Sequence, residues 1–538
     1  MNAPAAASAP HRRRWATLLR RAAQLAALTL FLWLFFVAAW PYAAASGAIR
    51  LSEPLPLEFF LWLDPLSGIT AAIAARQWTV SLIGAGAILA ACIIVPRLFC
   101  GYVCPLGTLI DAFDLIIRRP LRKLRLKRIN RLAHTRYYVL AALLVSAAMG
   151  ALISGFFSPI PLLTRGLMLT AARLELGWRR NWGMLTPLGI WAYVSIALFA
   201  AVFILGILAP RFWCRYVCPA GAMFSLAGFL RVFERRINRS CNHCDRCRRA
   251  CPFDAISPDH ATRPLDCAFC RTCASVCPGG AIEYAWRFRQ REAAASDKSD
   301  MIQPSRAGPS RRLVLASAIG GAASALAVRA SGRSAARPIR PPGSVGENRF
   351  SDLCVRCDGC LKVCPGAMLK PAGLEAGFDN LWTPVVDFVH AGCHPDCNFC
   401  TQVCPTRAIQ PLSIQQKRRW RMGLARIDDN LCLSHRRDTE CDPELSLRHG
   451  QTTTPCIQEC RAAGYNAIAI QRVKINIGDV PEGMASPEEL ESWSHLNVPV
   501  VDAEACVGCG LCEYICHAVM VKQRQLLPRR AVTVSPLA

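Results

Sequence analysis

Apolar positions along this chain gather into long unbroken runs instead of the alternation of a strand or the stripe of a soluble helix. Four runs, near 22–45, 77–96, 137–158 and 188–209, are each long enough to cross a bilayer core, which takes about 20 helical residues. A fifth, 313–328, is rich in Ala and Gly and falls short of the usual span. The first run follows Arg13 and Arg14 and ends at Ala43, Ala44 and Ala45, as a signal peptide would. Its apolar core is longer than a signal's, so it reads as a retained anchor. The semi-apolar stretch from Leu55 to Ala75 predicts an interfacial or re-entrant segment. The expected fold is an α-helical membrane bundle of four helices, five if 313–328 also crosses, carrying two small α+β modules of the bacterial-ferredoxin kind.

Charge orients the bundle. Arg12, Arg13, Arg14, Arg20 and Arg21 stand at the first run. Arg118, Arg119, Arg122, Lys123, Arg125, Lys127, Arg128 and Arg131 crowd the loop between the second and third. Arg211, Arg215, Arg231, Arg235 and Arg236 follow the fourth, and the other two loops are poorer. Cationic loops stay cytoplasmic, so the N-terminus and the segment after the fourth run belong on that side of a bacterial inner membrane. The net charge of +26 has the same origin. Its cations flank apolar segments and do not cover one soluble face, which speaks against nucleic acid as a partner.

At 538 residues the chain needs several modules. Residues 1–235 form the membrane domain and 236–287 a compact cysteine module. A linker with Ser310-Arg311-Arg312 covers 288–349, a larger cysteine module 350–525, and a loose tail 526–538.

The 29 cysteines carry the chemistry. Cys241-x2-Cys244-x2-Cys247-x3-Cys251-Pro252 is repeated as Cys267-x2-Cys270-x2-Cys273-x3-Cys277-Pro278. A [4Fe–4S] cluster takes three thiolates from such a loop and the fourth from the other motif. One cluster is therefore expected on Cys241, Cys244, Cys247 and Cys277, and a second on Cys267, Cys270, Cys273 and Cys251. Structural zinc uses pairs of C-x2-C without the trailing Cys-Pro. The larger module repeats the scheme more loosely. Cys354, Cys357 and Cys360 pair with Cys404, and Cys393, Cys397 and Cys400 with Cys364. Cys506, Cys509 and Cys512 pair with Cys460, leaving Cys432, Cys441, Cys456 and Cys516. The last set is irregular, so this module holds four clusters or three. About six follow in all.

Four of the five other cysteines form a matched pair of motifs, Cys100-Gly-Tyr-Val-Cys104-Pro105 and Cys214-Arg-Tyr-Val-Cys218-Pro219, each just past a membrane run. At equivalent depths these four thiols would meet on one side of the membrane; either they bind a metal, form redox disulfides or relay electrons there, or each Cys-Pro is a helix-ending turn with inert thiols. Cys92, alone inside the second run, reads as a small buried residue. None of the four runs contains a histidine, so an intramembrane bis-His haem is excluded. No haem-attachment motif and no glycine-rich dinucleotide fingerprint appears, so neither NAD nor FAD is expected. A lipid-soluble carrier, quinol, is the expected electron source. Asp64, beside Phe59, Phe60 and Trp62, reads either as a proton acceptor for it or as a helix cap.

On these motifs residues 15–285 resemble the NapH type of membrane quinol dehydrogenase, and the membrane half is similar to NosR-type proteins. Residues 310–520 resemble NapG/MauM ferredoxin-type proteins, with Ser310-Arg311-Arg312 as the twin-arginine signal. The resemblance implies a fusion of both partners that passes electrons from the quinone pool through the clusters to a redox partner, a cytochrome or terminal reductase. It also implies a cytoplasmic first cysteine module and a periplasmic C-terminal one. The alternative, from similarity to FixG-like proteins, is a redox or metal assembly factor for another metalloenzyme.

Overall fold

The computed structural model describes residues 10–37, 58–117, 132–180, 187–238, 240–287, 309–333, 337–435, 441, 453–474 and 495–537. The cationic loop from Arg118 to Arg131 and Ala43 to Ala45 lie outside them.

Among the described residues, three helices are long and apolar enough to cross a membrane: Thr17–Val37, Ile190–Ile207 and Arg311–Ser331. The third corrects the expectation of a short run. Ala is the strongest helix former, and the polar flanks carry the helix on past its apolar centre, giving 23 residues over Arg311–Arg333. Only 28%, 22% and 17% of the three spans is buried against protein. Apolar side chains such as Leu25, Trp33, Ile190, Ile204, Leu315 and Ile319 therefore face outward, as they do in helices solvated by lipid.

The second and third runs give shorter helices, Ser81–Ile94 and Thr135–Ala148. The first stops ahead of Pro96 and the second ahead of Gly150, whose φ is +81°. The stretch before them makes two small helices, Phe59–Trp62 and Pro65–Ala75. The second is tucked into the bundle, with Leu66 and Ala71 fully buried. The Arg311–Arg333 helix lies along Thr135–Ala148 so closely that a Cβ on Gly321 would strike the Ala142 carbonyl. The Ser310 N–H donates to Tyr138 Oη (3.0 Å) near one end of this crossing, and Arg329 donates to the Gly150 carbonyl (3.3 Å) near the other.

Both cysteine modules are built from short helices and two-stranded antiparallel sheets. Strands Phe233–Ile237 and Ile282–Trp286 pair in the register Arg235 to Tyr284 and close the first module at its two chain ends. In the second, Leu369–Pro371 pairs with Pro384–Val386, Ile468–Lys474 with His495–Val501, and Leu424–Ile427 with Val532–Ser535. The last pair corrects the reading of 526–538 as a loose tail, because Val532 is buried in the module core. The linker ends earlier than 349 for a similar reason. Arg340 is buried and bonds to Glu347, Asn380 and Thr383.

The modules dock at opposite ends of the helices. At the start of Thr135–Ala148, Arg136 pairs with Asp266 of the first module (2.7 Å). Beyond its end, the Leu152 carbonyl accepts from Arg356 of the second. At the start of Ile190–Ile204, the Trp191 carbonyl accepts from Trp382 Nε1 of the second module (2.8 Å). Past its other end, Arg215 pairs with Asp254 of the first (3.0 Å).

Candidate functional site

All 29 cysteines are among the described residues, and none forms a disulfide. In four of the five C-x2-C-type loops the residues on either side of the middle cysteine are left-handed: His243 and Asp245, Phe269 and Arg271, Arg356 and Asp358, Gly508 and Gly510. Outside glycine this conformation costs about 1–2 kcal/mol per residue, and it wraps each loop around one point. The loop with the longer Cys393-x3-Cys397 spacing has no such pair among its described residues.

These loops bring thiols together from distant segments. Cys251, Cys267, Cys270 and Cys273 line one cavity with Phe253 and Tyr284. Cys364, Cys393, Cys397 and Cys400 line another. Burial pushes the Cys267 and Cys397 thiols up to about 12. Burial also holds Cys360 well above its ordinary value, with Cys357, Cys354 and Cys404 adding to the effect. Cys512 is raised in the same way by burial, then by Cys509, Cys456, Cys506 and Cys460. Cys432, Cys456 and Cys516 share one core with Cys441, whose Sγ is 3.9 Å from Met520 Sδ. Cys247 packs with Cys277, while Cys241 and Cys244 are only partly buried.

The thiols raised in this way keep their protons unless a cationic centre displaces them. Among the described residues no three His, Cys, Asp or Glu side chains stand close enough to grip a single metal ion. Thiols brought together from separate loops in this way fit a cluster of several irons. Backbone N–H groups already point at the sulfurs, as iron–sulfur ligands require: Ala255 to Cys251 (3.3 Å), Ile409 to Cys404 (3.4 Å) and Ala467 to Cys460 (3.2 Å).

The paired motifs converge as well. Cys100, Cys104, Cys214 and Cys218 line one small apolar cavity, against Phe99, Trp213 and Phe224. Two features at its rim escaped the sequence reading. Arg211, taken there as an orienting charge, is fully buried, as is Arg97. Arg97 donates across to the Cys214 carbonyl (3.2 Å) and Arg211 to the Cys100 carbonyl (3.1 Å). Both guanidinium groups contact the ring of Phe253, at 5.1 Å and 4.4 Å from its centre. The signal was present. Extending the repeat three residues upstream gives Arg97-x2-Cys100 and Arg211-x2-Cys214.

Asp64 is fully buried in the helical unit. Its Oδ2 accepts from Ser67 Oγ (2.7 Å) and from Ser158 Oγ, while Oδ1 has no partner. Ser158 adjoins Pro159, which lines the four-cysteine cavity. Asp64 also precedes the Pro65–Ala75 helix but makes no capping hydrogen bond with its side chain.

A family model described as a 4Fe-4S binding domain matches residues 77–124 and 191–239, the two halves that enclose this cavity. The methylamine utilization ferredoxin-type protein MauN of Methylorubrum extorquens is 31% identical over 240 residues, 43% of this chain and 73% of MauN. The chain belongs to the ferredoxin-type proteins. Ferredoxin-type protein NapH of Haemophilus influenzae is 27% identical over 311 residues, 53% of this chain and 98% of NapH. Ferredoxin-type protein NapG of Escherichia coli is 29% identical over 203 residues, 37% of this chain and 71% of NapG. One ferredoxin-type chain thus carries likeness to both, a NapH/NapG-like fusion. The relatives are covered over 65% to 98% of their length. No solved structure matches the chain.

Proposed function

We propose that this ferredoxin-type chain is a membrane electron conduit that takes electrons from quinol and hands them to a redox partner, a cytochrome or terminal reductase. The observation that carries the reading is Phe253. Its ring lines the cysteine cavity of the first module and contacts the two arginines that bond to the motifs of the four-cysteine cavity. One side chain therefore touches the surroundings of both sets of thiols.

The residues that would hold clusters are the six quartets already described, with Cys432, Cys441, Cys456 and Cys516 as the irregular one. Bound there, [4Fe–4S] clusters supply one-electron donors and acceptors. Cys100, Cys104, Cys214 and Cys218 serve as the relay at the membrane unit, kept dry by Phe99 and Phe224, whose rings stack at 5.2 Å. Asp64, oriented by Ser67 and Ser158, takes a proton that quinol releases.

Five crossings make up this reading: three full-length helices, the N-terminal one, Ile190–Ile207 and Arg311–Arg333, and two 14-residue ones, Ser81–Ile94 and Thr135–Ala148, that reach across together with the turns at their ends. An odd number leaves the C-terminal module periplasmic and the first module cytoplasmic, in keeping with their docking at opposite ends. Alkaline phosphatase fused after Leu537 is expected to be active, and an inactive fusion overturns that placement. The main test is anaerobic addition of a quinol analogue to membranes. The clusters are expected to reduce within a catalytic turnover, and no reduction on that timescale overturns the conduit.

A further inference from the structure

The helical core that holds Cys104, Cys214 and Cys218 is bordered by one cysteine of the second module, Cys357. Cys357 also packs with Ala71, Ala74 and Val355, so its loop touches the helix that opens after Asp64. The approach is close: a Cβ on Gly155 of the membrane unit would strike the Val355 carbonyl. Among the described residues no other cysteine of the second module packs against this core. An apolar path thus runs from the paired motifs to one quartet, Cys354, Cys357, Cys360 and Cys404.

Charge singles out the same quartet. Arg165 and Arg356, both fully buried, meet at its loop. Arg356 lies between Cys354 and Cys357 and donates to the carbonyls of Cys354 (3.2 Å) and Leu381 (2.9 Å). Arg165 donates to the Arg356 carbonyl (3.0 Å), while its Nη2 has no partner. Rings cover both, Trp382 over Arg165 at 4.3 Å and Phe156 over Arg356 at 4.7 Å. The partners are carbonyls, a hydroxyl and rings, so among the described residues neither guanidinium meets a carboxylate. Asp358, in the same loop, has both oxygens buried and unbonded.

Buried cations without a contacting anion are costly. Four thiolates around an iron–sulfur cluster supply negative charge beside them. An added electron makes that charge larger, and two buried cations favour the reduced state. The rest of the module differs. Lys417, also buried, stands at the next quartet with its ammonium on the His394 carbonyl. Over residues 421–537 the one buried charged side chain among those described is Glu513, paired with Arg530 (2.8 Å).

We infer that electrons enter the second module at the quartet Cys354, Cys357, Cys360 and Cys404, and that Arg165 and Arg356 are positioning residues that raise its reduction potential so that a membrane carrier can fill it. The inference deepens the conduit reading and rests on it. Each transfer oxidises the membrane relay by one electron and reduces this site by one, with no bond made and no proton carried.

The test is redox titration of the full chain, purified anaerobically in nanodiscs, poised with dithionite and mediators and read by electron paramagnetic resonance. The signal lost in Cys404→Ser identifies the quartet and is expected to have the highest potential in the second module. Arg165→Gln and Arg356→Gln are each expected to lower its reduced-to-oxidised ratio at a fixed poise about tenfold, or about 59 mV, with iron content unchanged. Arg165→Lys, which keeps the charge, is expected to stay near wild type. A lowest potential for this quartet in the wild-type chain, or a potential unmoved in a Gln variant that keeps its iron, overturns the inference. If Cys404→Ser does not fold, the one signal that moves in the Gln variants and stays in Arg165→Lys takes its place, and none moving overturns the inference. Quinol is scored apart. Failure of quinol-driven reduction while these potentials hold overturns the conduit beneath, and an intact conduit with unmoved potentials overturns this inference alone.

Discussion

At one end of the helical unit the first module is gripped by the segments that carry the four-cysteine cavity. Arg97 donates to the Asp266 carbonyl (3.2 Å), Tyr102 to the Phe269 carbonyl (2.9 Å), and Arg215 pairs with Asp254. At the other end no cysteine motif of the membrane unit takes part. There Arg165, fully buried, donates to the carbonyls of Gly155 (3.2 Å) and Arg356 (3.0 Å), and Lys362 pairs with Glu175 (2.6 Å). Cys357 itself packs against the helical core. So the first module meets the helical unit through Phe253, Arg97 and Arg215, the second through the Cys357 loop pressed directly on the helices. The first arrangement ties docking and the four-cysteine cavity into one piece, so damage to either should reach both. The second separates them.

The largest effect is expected at the second end. Arg165→Leu strands two buried carbonyls and the Ser195 hydroxyl, and removes the guanidinium from above Trp382 (4.3 Å). Each unmet group costs about 1–3 kcal/mol, so thermal unfolding should show the C-terminal module weakened by about 4 kcal/mol with its iron content intact. Loss of iron from the membrane unit as well would break the separation just drawn.

At the first end, Phe253→Ala should cost about 3 kcal/mol and slow reduction of the first module, whereas Phe253→Leu should stay within about 1.5 kcal/mol. Equal rates in both variants and wild type would remove the ring from the electron path. Between the ends, Asp64→Asn is expected to slow quinol-driven cluster reduction about a hundredfold and leave dithionite-driven reduction unchanged; slowing of both would mark a structural role. The smallest effect belongs to the exposed pair Arg418–Asp396, 2.6 Å apart with side chains 40% and 53% exposed. Arg418→Ala should change unfolding by no more than about 0.5 kcal/mol.

Much of the site was legible because its information is local. A cysteine triplet at x2 spacing is a loop in itself, and an apolar run of 18 residues such as Ile190–Ile207 is a helix that needs lipid. What was misread was charge. Arg211 and Arg215, taken in sequence as orienting cations, are buried and pair with Asp111 and Asp254. Those carboxylates stand in other segments, beyond the reach of any local pattern.

By itself, then, the order of residues determined that this protein has membrane helices and thiol quartets in cluster spacing, since both depend on neighbours a few positions apart. Only the tertiary structure decided that Cys100 and Cys214 border one cavity, that Phe253 of the first module reaches the arginines beside it, and that the two modules occupy opposite ends. Those facts depend on contacts between segments distant along the chain, and such contacts are selected by packing and by the need to satisfy buried cations.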